Sequence, residues 1–131
     1  MASETYIITQ EKVNVPSDVD YAFGYGLFQF RFYTDLDEME DLVEMCKVTT
    51  NINDVDLSCL NPILSLVKQL GIKNYLIEFV HDFAGMPDGN GFIIPVSNGK
   101  IFCQDIVDFE NDSRASHKRV YELIGIDYPY N

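Results

Sequence analysis

The sequence predicts an α+β fold: a single compact domain over residues 1–131, with a mainly antiparallel sheet and about three helices in the order β-β-α-α-β-β-β-α. Three observations lead to this class. The chain has the length of one domain. Its strand-like and helix-like segments do not alternate regularly, as they would in a parallel nucleotide-binding sheet. One pair of strands is joined by a tight hairpin signal. We expect the helices to pack on one face of the sheet.

The first third of the chain predicts two strands. Residues 5–15 are rich in β-branched side chains, which favour extended backbone. Residues 22–34 alternate between phenylalanines and other side chains over much of their length, and this period of two is typical of a strand. Two glycines in the second segment, Gly24 and Gly26, indicate a bulge or a close backbone approach.

Residues 35–47 predict the first helix. At about 100° per residue, the apolar side chains gather on one side of it: Leu36, Met39, Leu42, Val43 and Cys46. Either Thr34 or Asp35 can serve as the N-cap, because each has an acidic residue three positions later. An irregular segment then leads to a second helix, which we expect Asn61 to cap and Gly71 to end.

The next region predicts a central strand and a hairpin. Residues 74–83 are largely apolar on both faces, which is typical of a strand inside a covered sheet. Residues 84–91 are dense in turn-forming residues, so we expect a loop there. The dipeptide Asn98-Gly99 predicts a hairpin turn. Pro95 places the first strand of that hairpin at an edge of the sheet, or ends its pairing.

A last helix is predicted close to the carboxyl end of the sequence. Ser113 or Ser116 can cap it, and Gly125 ends it. This helix carries the only basic cluster of the sequence: Arg114, His117, Lys118 and Arg119. The cluster could hold an anion, but we expect it instead to pair with acidic residues of the preceding segment: Asp105, Asp108, Glu110 and Asp112.

Net charge is the most extreme property of the composition. The chain has 21 acidic and 9 basic residues, for a net charge of −12. Such a charge argues against direct binding of nucleic acid or of anionic membranes, because phosphate groups would be repelled. It favours fast association with any protein that carries a basic patch. No apolar run is long enough to span a membrane.

The cysteines and the N-terminus indicate a cytoplasmic protein. Three cysteines without a C-x-x-C pair are typical of reduced thiols that serve as small apolar residues. The first ten residues lack the basic start and apolar core of a secretory signal.

The acidic face of the first predicted helix is the main candidate site. Asp37, Glu40, Asp41 and Glu44 fall within an arc of about 100°, opposite the apolar side. Their four like-charged neighbour pairs cost about 1–2 kcal/mol of helix stability in total. Three explanations are open: a plain solvated face, a surface for a basic protein, and a metal site. No EF-hand spacing supports the third.

Catalytic motifs are absent from the sequence. His81 and Asp82 are adjacent in a predicted strand, so their side chains point to opposite faces and do not form a dyad. No nucleophile elbow, phosphate-binding loop or dinucleotide fingerprint occurs. The two histidines and scattered cysteines do not suit zinc. We therefore predict a non-enzymatic protein without cofactor or metal.

The leading functional hypothesis is a small cytoplasmic inhibitor that covers the basic, nucleic-acid-binding surface of a partner protein. An immunity protein or antitoxin that neutralises a nuclease would fit, and so would a phage-type inhibitor of a defence or host enzyme. The predicted partner-binding residues are Asp37, Glu40, Asp41 and Glu44, with Asp18, Asp20 and Tyr33 as neighbours.

Two alternatives remain open. The first is a small-molecule-binding or enzymatic domain that uses the predicted loop 84–91 and the sheet aromatics, with a cavity lined by His81, Tyr75 and Asp88. The second is a subunit whose exposed tyrosines mediate self-association. The oligomeric state is not predicted by the sequence.

Overall fold

A computed structural model describes residues 2–83, 86–108 and 112–129, with the side chains of residues 2–3, 81–83 and 86–90 left undescribed. The helices and strands of the described ranges are β1 Ala2–Thr9, β2 Tyr21–Gly24, β3 Leu27–Asp35, α1 Leu36–Val48, α2 Asn61–Leu70, β4 Asn74–Phe83, β5 Met86–Ser97, β6 Lys100–Ile101, β7 Val107–Asp108 and α3 Arg114–Leu123. Short 3₁₀ turns lie at Ile52–Asp54, Ser58–Leu60 and Cys103–Asp105.

All strand pairs of the sheet are antiparallel, in the order β2-β3-β1-β4-β5-β6, with β7 also paired to β5. The predicted α+β class and antiparallel sheet are confirmed. The central position of β4 is confirmed too, since it lies between β1 and β5.

The helices cover both faces of the sheet, so the expectation that they share one face was wrong. One buried cluster joins α1 and α2 to Ile7, Ile77 and Ile94. A second cluster joins α3 to Ile8 and Leu76, the alternate residues of the same strands. Successive side chains of a strand point to opposite faces, so a strand that is apolar throughout needs cover on both sides. The fold therefore has three layers.

The segment 22–34 is a hairpin rather than one strand. Tyr25 and Gly26 adopt left-handed backbone angles, with φ of 56° and 77°, and they turn β2 back onto β3. Two consecutive residues with positive φ match the twist of a tight two-residue hairpin. The sequence does not signal this turn, because tyrosine is not a usual residue at its first position.

The first strand is also shorter than predicted, since β1 ends at Thr9 and not at residue 15. The Glu11 carboxylate then accepts the backbone N–H groups of Lys73 and Asn74, at 2.9 and 2.6 Å. This pair of bonds ties the departing chain to the start of β4.

The predicted N-caps are confirmed for two of the three helices, and α2 ends at Gly71 as predicted. Asp35 caps α1, with its Oδ1 accepting the Glu38 N–H at 3.1 Å, and Ser113 caps α3 by accepting the Ser116 N–H at 3.3 Å. Asn61 does not cap α2: it already has helical φ and ψ of −52° and −46°. A 3₁₀ turn runs directly into this helix, so no side-chain cap forms there.

The predicted loop 84–91 was too long. β4 continues to Phe83 and β5 begins at Met86, with a register irregularity after His81. Residues 84 and 85 lie outside the described ranges. The hairpin at Asn98-Gly99 is confirmed, with φ of 51° and 78°.

Pro95 lies in an interior strand, not at an edge of the sheet. Its carbonyl accepts the Phe102 N–H at 3.0 Å, and the ladder of β6 reaches only to Val96. The N–H and C=O of one strand residue point to the same side of the strand. The N–H that proline lacks would therefore point towards β6, just beyond the last residue pair of the β5–β6 ladder.

The Tyr25–Gly26 turn gives a test of this topology. Gly26→Ala should lower the free energy of unfolding by about 1 kcal/mol, because φ of 77° is costly for a residue with a Cβ. Gly24→Ala is the matched control: its Cβ would meet no atom within 4 Å and its φ is not positive. Urea denaturation should show a loss for Gly26→Ala and no loss for Gly24→Ala; equal effects would contradict the turn.

Candidate functional site

The acidic face of α1 is fully formed. The predicted apolar side of the helix is buried in the core: Leu36, Met39, Leu42, Val43 and Cys46. Burial of that side turns the opposite one outwards, and Asp37, Glu40, Asp41 and Glu44 are all exposed. The structure thus brings the four main predicted site residues together on one surface.

Two further acidic residues meet this helix from outside it. A groove of about 370 Å³ is lined by Glu38 and Asp41 on α1 and by Asp54 and Asp56 on the following segment. Met45, with 45% of its surface exposed, lies on the same groove. We call the seven carboxylates of this region the acidic surface: Asp37, Glu38, Glu40, Asp41, Glu44, Asp54 and Asp56.

The segment that carries Asp54 and Asp56 is held by local hydrogen bonds. The Asn51 side chain accepts the Asn53 N–H at 3.1 Å. Asp56 Oδ1 accepts the Ser58 N–H at 2.9 Å, and this backbone hydrogen bond lowers the pKa of the Asp56 carboxyl. The sequence predicts only an irregular segment here, and neither aspartate is among the predicted site residues, because nothing local shows that the segment returns alongside α1.

Little of the negative charge is neutralised within the fold. Among the described residues, the acidic surface has one ion pair, between Lys47 Nζ and Glu44 Oε1 at 3.7 Å. Lys47 also lies 5.1 Å from the centroid of the Phe92 ring. Most of the acidic surface therefore remains available to an outside cation.

The other predicted site residues lie elsewhere. Asp20 Oδ2 forms an ion pair with Arg31 Nη2 at 2.7 Å, and the Arg31 guanidinium lies 5.6 Å from the Tyr33 ring centroid. Tyr33 is 67% exposed, and it points to the sheet face opposite α1, since its neighbour Phe32 packs on the α1 side. Asp18 is exposed in the loop before β2. Asp20 and Tyr33 thus lie with Arg31 on the sheet face opposite α1.

Tyr75, one of the expected wall residues of a cavity, is part of the buried core instead. Tyr75 is only 3% exposed in the core under α1 and α2, and burial raises the pKa of its phenol to about 12. The side chains of His81 and Asp88, the other expected wall residues, lie outside the described residues.

The cysteines are free thiols in this structure. Cys46 is buried within the α1 stripe, and burial, followed by a hydrogen bond with Cys103, raises the pKa of its thiol to about 12. The thiolate is the nucleophilic form of cysteine, and a raised pKa keeps the Cys46 thiol protonated. Cys46 is therefore a poor candidate for a catalytic nucleophile.

A cavity of about 490 Å³ lies against α3, on the opposite side of the sheet. Its described lining residues are Glu78, Ile93, Asp112, Arg114, His117, Tyr121 and Tyr128. The basic helix and the acidic segment before it are neighbours here: Arg114 and Asp112 line one cavity, and His117 Nε2 lies 3.4 Å from the backbone carbonyl oxygen of Asp108. The expected pairing of their charged side chains stays a prediction.

Glu78 is the unusual residue of this cavity. Burial raises the pKa of its carboxyl to about 7. Within the described part of the chain its side chain has one hydrogen bond, a long one of 3.4 Å donated by the Tyr121 hydroxyl. Glu78 was not among the predicted site residues, although a single charged residue within the apolar run 75–80 is a usable signal.

Metal and membrane features can be stated for the described ranges only. There, no three histidine, cysteine or acidic residues are grouped so as to hold a metal ion, and no helix has the length and apolarity needed to cross a membrane. No protein-family model, curated protein or solved structure matches the chain.

Glu78 predicts a pH dependence of stability. In the unfolded chain the carboxyl ionises near 4.5, and in the folded chain only near 7. Folding is therefore penalised progressively as the pH rises from about 4.5 to about 7, by about 1–3 kcal/mol in full. Glu78→Gln should leave the free energy of unfolding almost unchanged at pH 4 and raise it above pH 7.

Glu122→Gln, on the exposed side of α3, is the matched control. Urea denaturation of the three proteins across this pH range measures the effect. If Glu78→Gln and Glu122→Gln show the same pH profile, the buried carboxyl has no such role.

Proposed function

We propose that this chain is a small acidic inhibitor in the cytoplasm that binds another protein and covers a basic surface by which that partner binds nucleic acid. The observation that carries the proposal is the acidic surface: seven carboxylates on two segments, with one ion pair among the described residues. A surface that only served solubility would gain from interleaved lysines, and α1 has none before Lys47.

The chemistry of the acidic surface suits a partner that normally binds phosphates. Carboxylates at successive turns of a helix present negative charge at intervals of about 5.4 Å. Lysine and arginine side chains that bind a nucleic-acid backbone can pair with such carboxylates instead. The exposed Met45 and Val48, at 45% and 76%, would add apolar area beside the charges.

Two biological settings fit this binding mode. An immunity protein or antitoxin must block a nuclease before it reaches nucleic acid. A phage-type inhibitor must block a defence or host enzyme in the same way. Both settings call for fast association, which a net charge of −12 favours at low ionic strength.

The test begins with an affinity pull-down from the native host at low and high salt. The protein captured at low salt should bind nucleic acid, and a short DNA or RNA duplex should displace the chain from it. Association of the purified pair should slow at least about tenfold as the ionic strength rises into the physiological range.

A charge reversal then tests the acidic surface itself. Glu40→Lys/Glu44→Lys should weaken binding at least about tenfold, mainly through slower association. Glu122→Lys/Asp127→Lys changes the net charge equally at two exposed positions on the α3 side of the sheet, and it should have a much smaller effect. Calorimetry or surface plasmon resonance with the purified partner measures both. Equal losses in the two variants, or no loss in either, would contradict the proposal.

A further inference from the structure

The two edges of the sheet differ in how they are protected. In the described sheet, β2 and β6 end the strand order. β6 is very short, and one of its residues is the exposed Lys100; both features are usual defences against pairing with another chain. β2 carries neither a charge nor a proline, and all of its residues, Tyr21–Gly24, are exposed. The β2 edge is therefore accessible to a further strand.

The backbone of β2 presents hydrogen-bonding groups to this edge. The Asp20 carbonyl accepts the Arg31 N–H at 3.2 Å, so Asp20 is hydrogen-bonded to β3. Hydrogen-bonded and non-hydrogen-bonded pairs alternate along an antiparallel ladder, and Ala22 therefore bonds to β3 as well. The N–H and C=O groups of Tyr21 and Phe23 then point the other way, out of the edge of the sheet. They are the donors and acceptors for an added strand.

The side chains at this edge are aromatic and uncharged. Tyr21 is 47% exposed, Phe23 62% and, in the turn, Tyr25 84%. The Phe23 ring lies 4.7 Å from the Phe28 ring, and Phe28 packs on the core of the α1 side. Residues 21–30 carry no charge, in a chain of which 23% is charged. A partner at this edge must therefore be held by apolar contact and backbone hydrogen bonds, and not by ion pairs.

We propose that β2 pairs with β2 of a second copy of this chain, antiparallel about a two-fold axis at Ala22. In this register Tyr21 of each copy lies opposite Phe23 of the other, and the two residues exchange backbone hydrogen bonds. Aromatic residues directly opposite each other are a favourable cross-strand pair. Asp20 falls opposite Gly24, so no like charges meet. The edge is thus complementary to itself, as a two-fold dimer requires.

The available area suits a dimer of moderate affinity. At about 200 Å² for a fully exposed aromatic residue, Tyr21, Phe23 and Tyr25 together expose about 400 Å² in each copy. Two copies offer about 800 Å² from these side chains, against the roughly 1,200 Å² at which stable interfaces begin. The paired backbone of β2 supplies part of the remainder.

The charge of the chain gives the dimer a characteristic salt dependence. The net charge of −12 on each copy opposes association. Salt screens that repulsion, so the dimer should be favoured by salt. Binding of a basic protein to the acidic surface should instead be weakened by salt, and the two associations are therefore distinguishable.

Sedimentation equilibrium of the purified chain tests the dimer directly. At physiological ionic strength the chain should dimerise with a dissociation constant of about 1–100 μM. This constant should fall severalfold as the salt concentration is raised to about 0.5 M. A chain that stays monomeric at millimolar concentration would contradict the proposal, and so would a dimer that dissociates in high salt.

Charge substitutions locate the interface. Tyr21→Lys/Phe23→Lys places lysines opposite each other in the dimer, and it should weaken association at least about tenfold although it lowers the net negative charge. Val48→Lys/Leu123→Lys is the matched control: both residues are exposed and apolar, and both lie on helices that contact β5, far from β2 in the strand order. It should not weaken association. With the folds verified by circular dichroism, equal affinities of the two variants would overturn the proposal.

A cysteine cross-link tests the register. Ala22→Cys should give a disulfide-linked dimer on mild oxidation with diamide, because residue 22 of one copy faces residue 22 of the other, with the Cα atoms about 4.5 Å apart. Gly24→Cys is the control, since it lies opposite Asp20 of the other copy and its Cβ would meet no atom within 4 Å. The unsubstituted chain measures the background from the native cysteines. Cross-linking of Ala22→Cys that is no stronger than that of Gly24→Cys would rule out this dimer.

Discussion

The central strands of the sheet must be covered on both faces, and the rest of the architecture depends on this constraint. Adjacent residues of β1, Ile7 and Ile8, are both at most 1% exposed, and so are Leu76 and Ile77 of β4. One layer of helices cannot bury both members of such a pair, because they point in opposite directions. The chain therefore places α1 and α2 against one face and α3 against the other.

This three-layer arrangement explains where the two functional candidates lie. α1 is anchored by its apolar side, so its carboxylates can only face outwards. Glu78 shares its sheet face with Leu76, which packs under α3, so its carboxyl lies between the sheet and α3, at the wall of a cavity. One constraint thus produces an exposed surface of high charge and a cavity with a poorly solvated carboxyl. The two are on opposite faces and can be probed by separate substitutions.

The acidic surface is a balance of opposing electrostatic terms. The Asp35 cap and the acidic residues of the first turn stabilise α1, at about 1 kcal/mol for the cap and about 0.3–1 kcal/mol for each charge. The like-charged pairs further along the helix cost about 1–2 kcal/mol, and Asp54 and Asp56 add charge from across the groove. Helix stability therefore explains the acidic residues of the first turn. Glu40 and Asp41 have no such explanation within the described fold, and Glu44 has only its ion pair with Lys47, which is why a basic partner is the function that we propose.

The sequence by itself determined the α+β class, the apolar stripe of α1, the Asn98-Gly99 hairpin and the central place of β4. These features depend on side-chain periodicity and turn chemistry, which are local. Only the tertiary structure decided that the helices divide between two faces of the sheet. It also brought Asp54 and Asp56 beside α1, and it placed Asp20 and Tyr33 with Arg31 instead. It also placed Glu78 in one cavity with Arg114 and His117. Each of these facts depends on how distant segments pack, and periodicity along one segment carries no information about its distant neighbours.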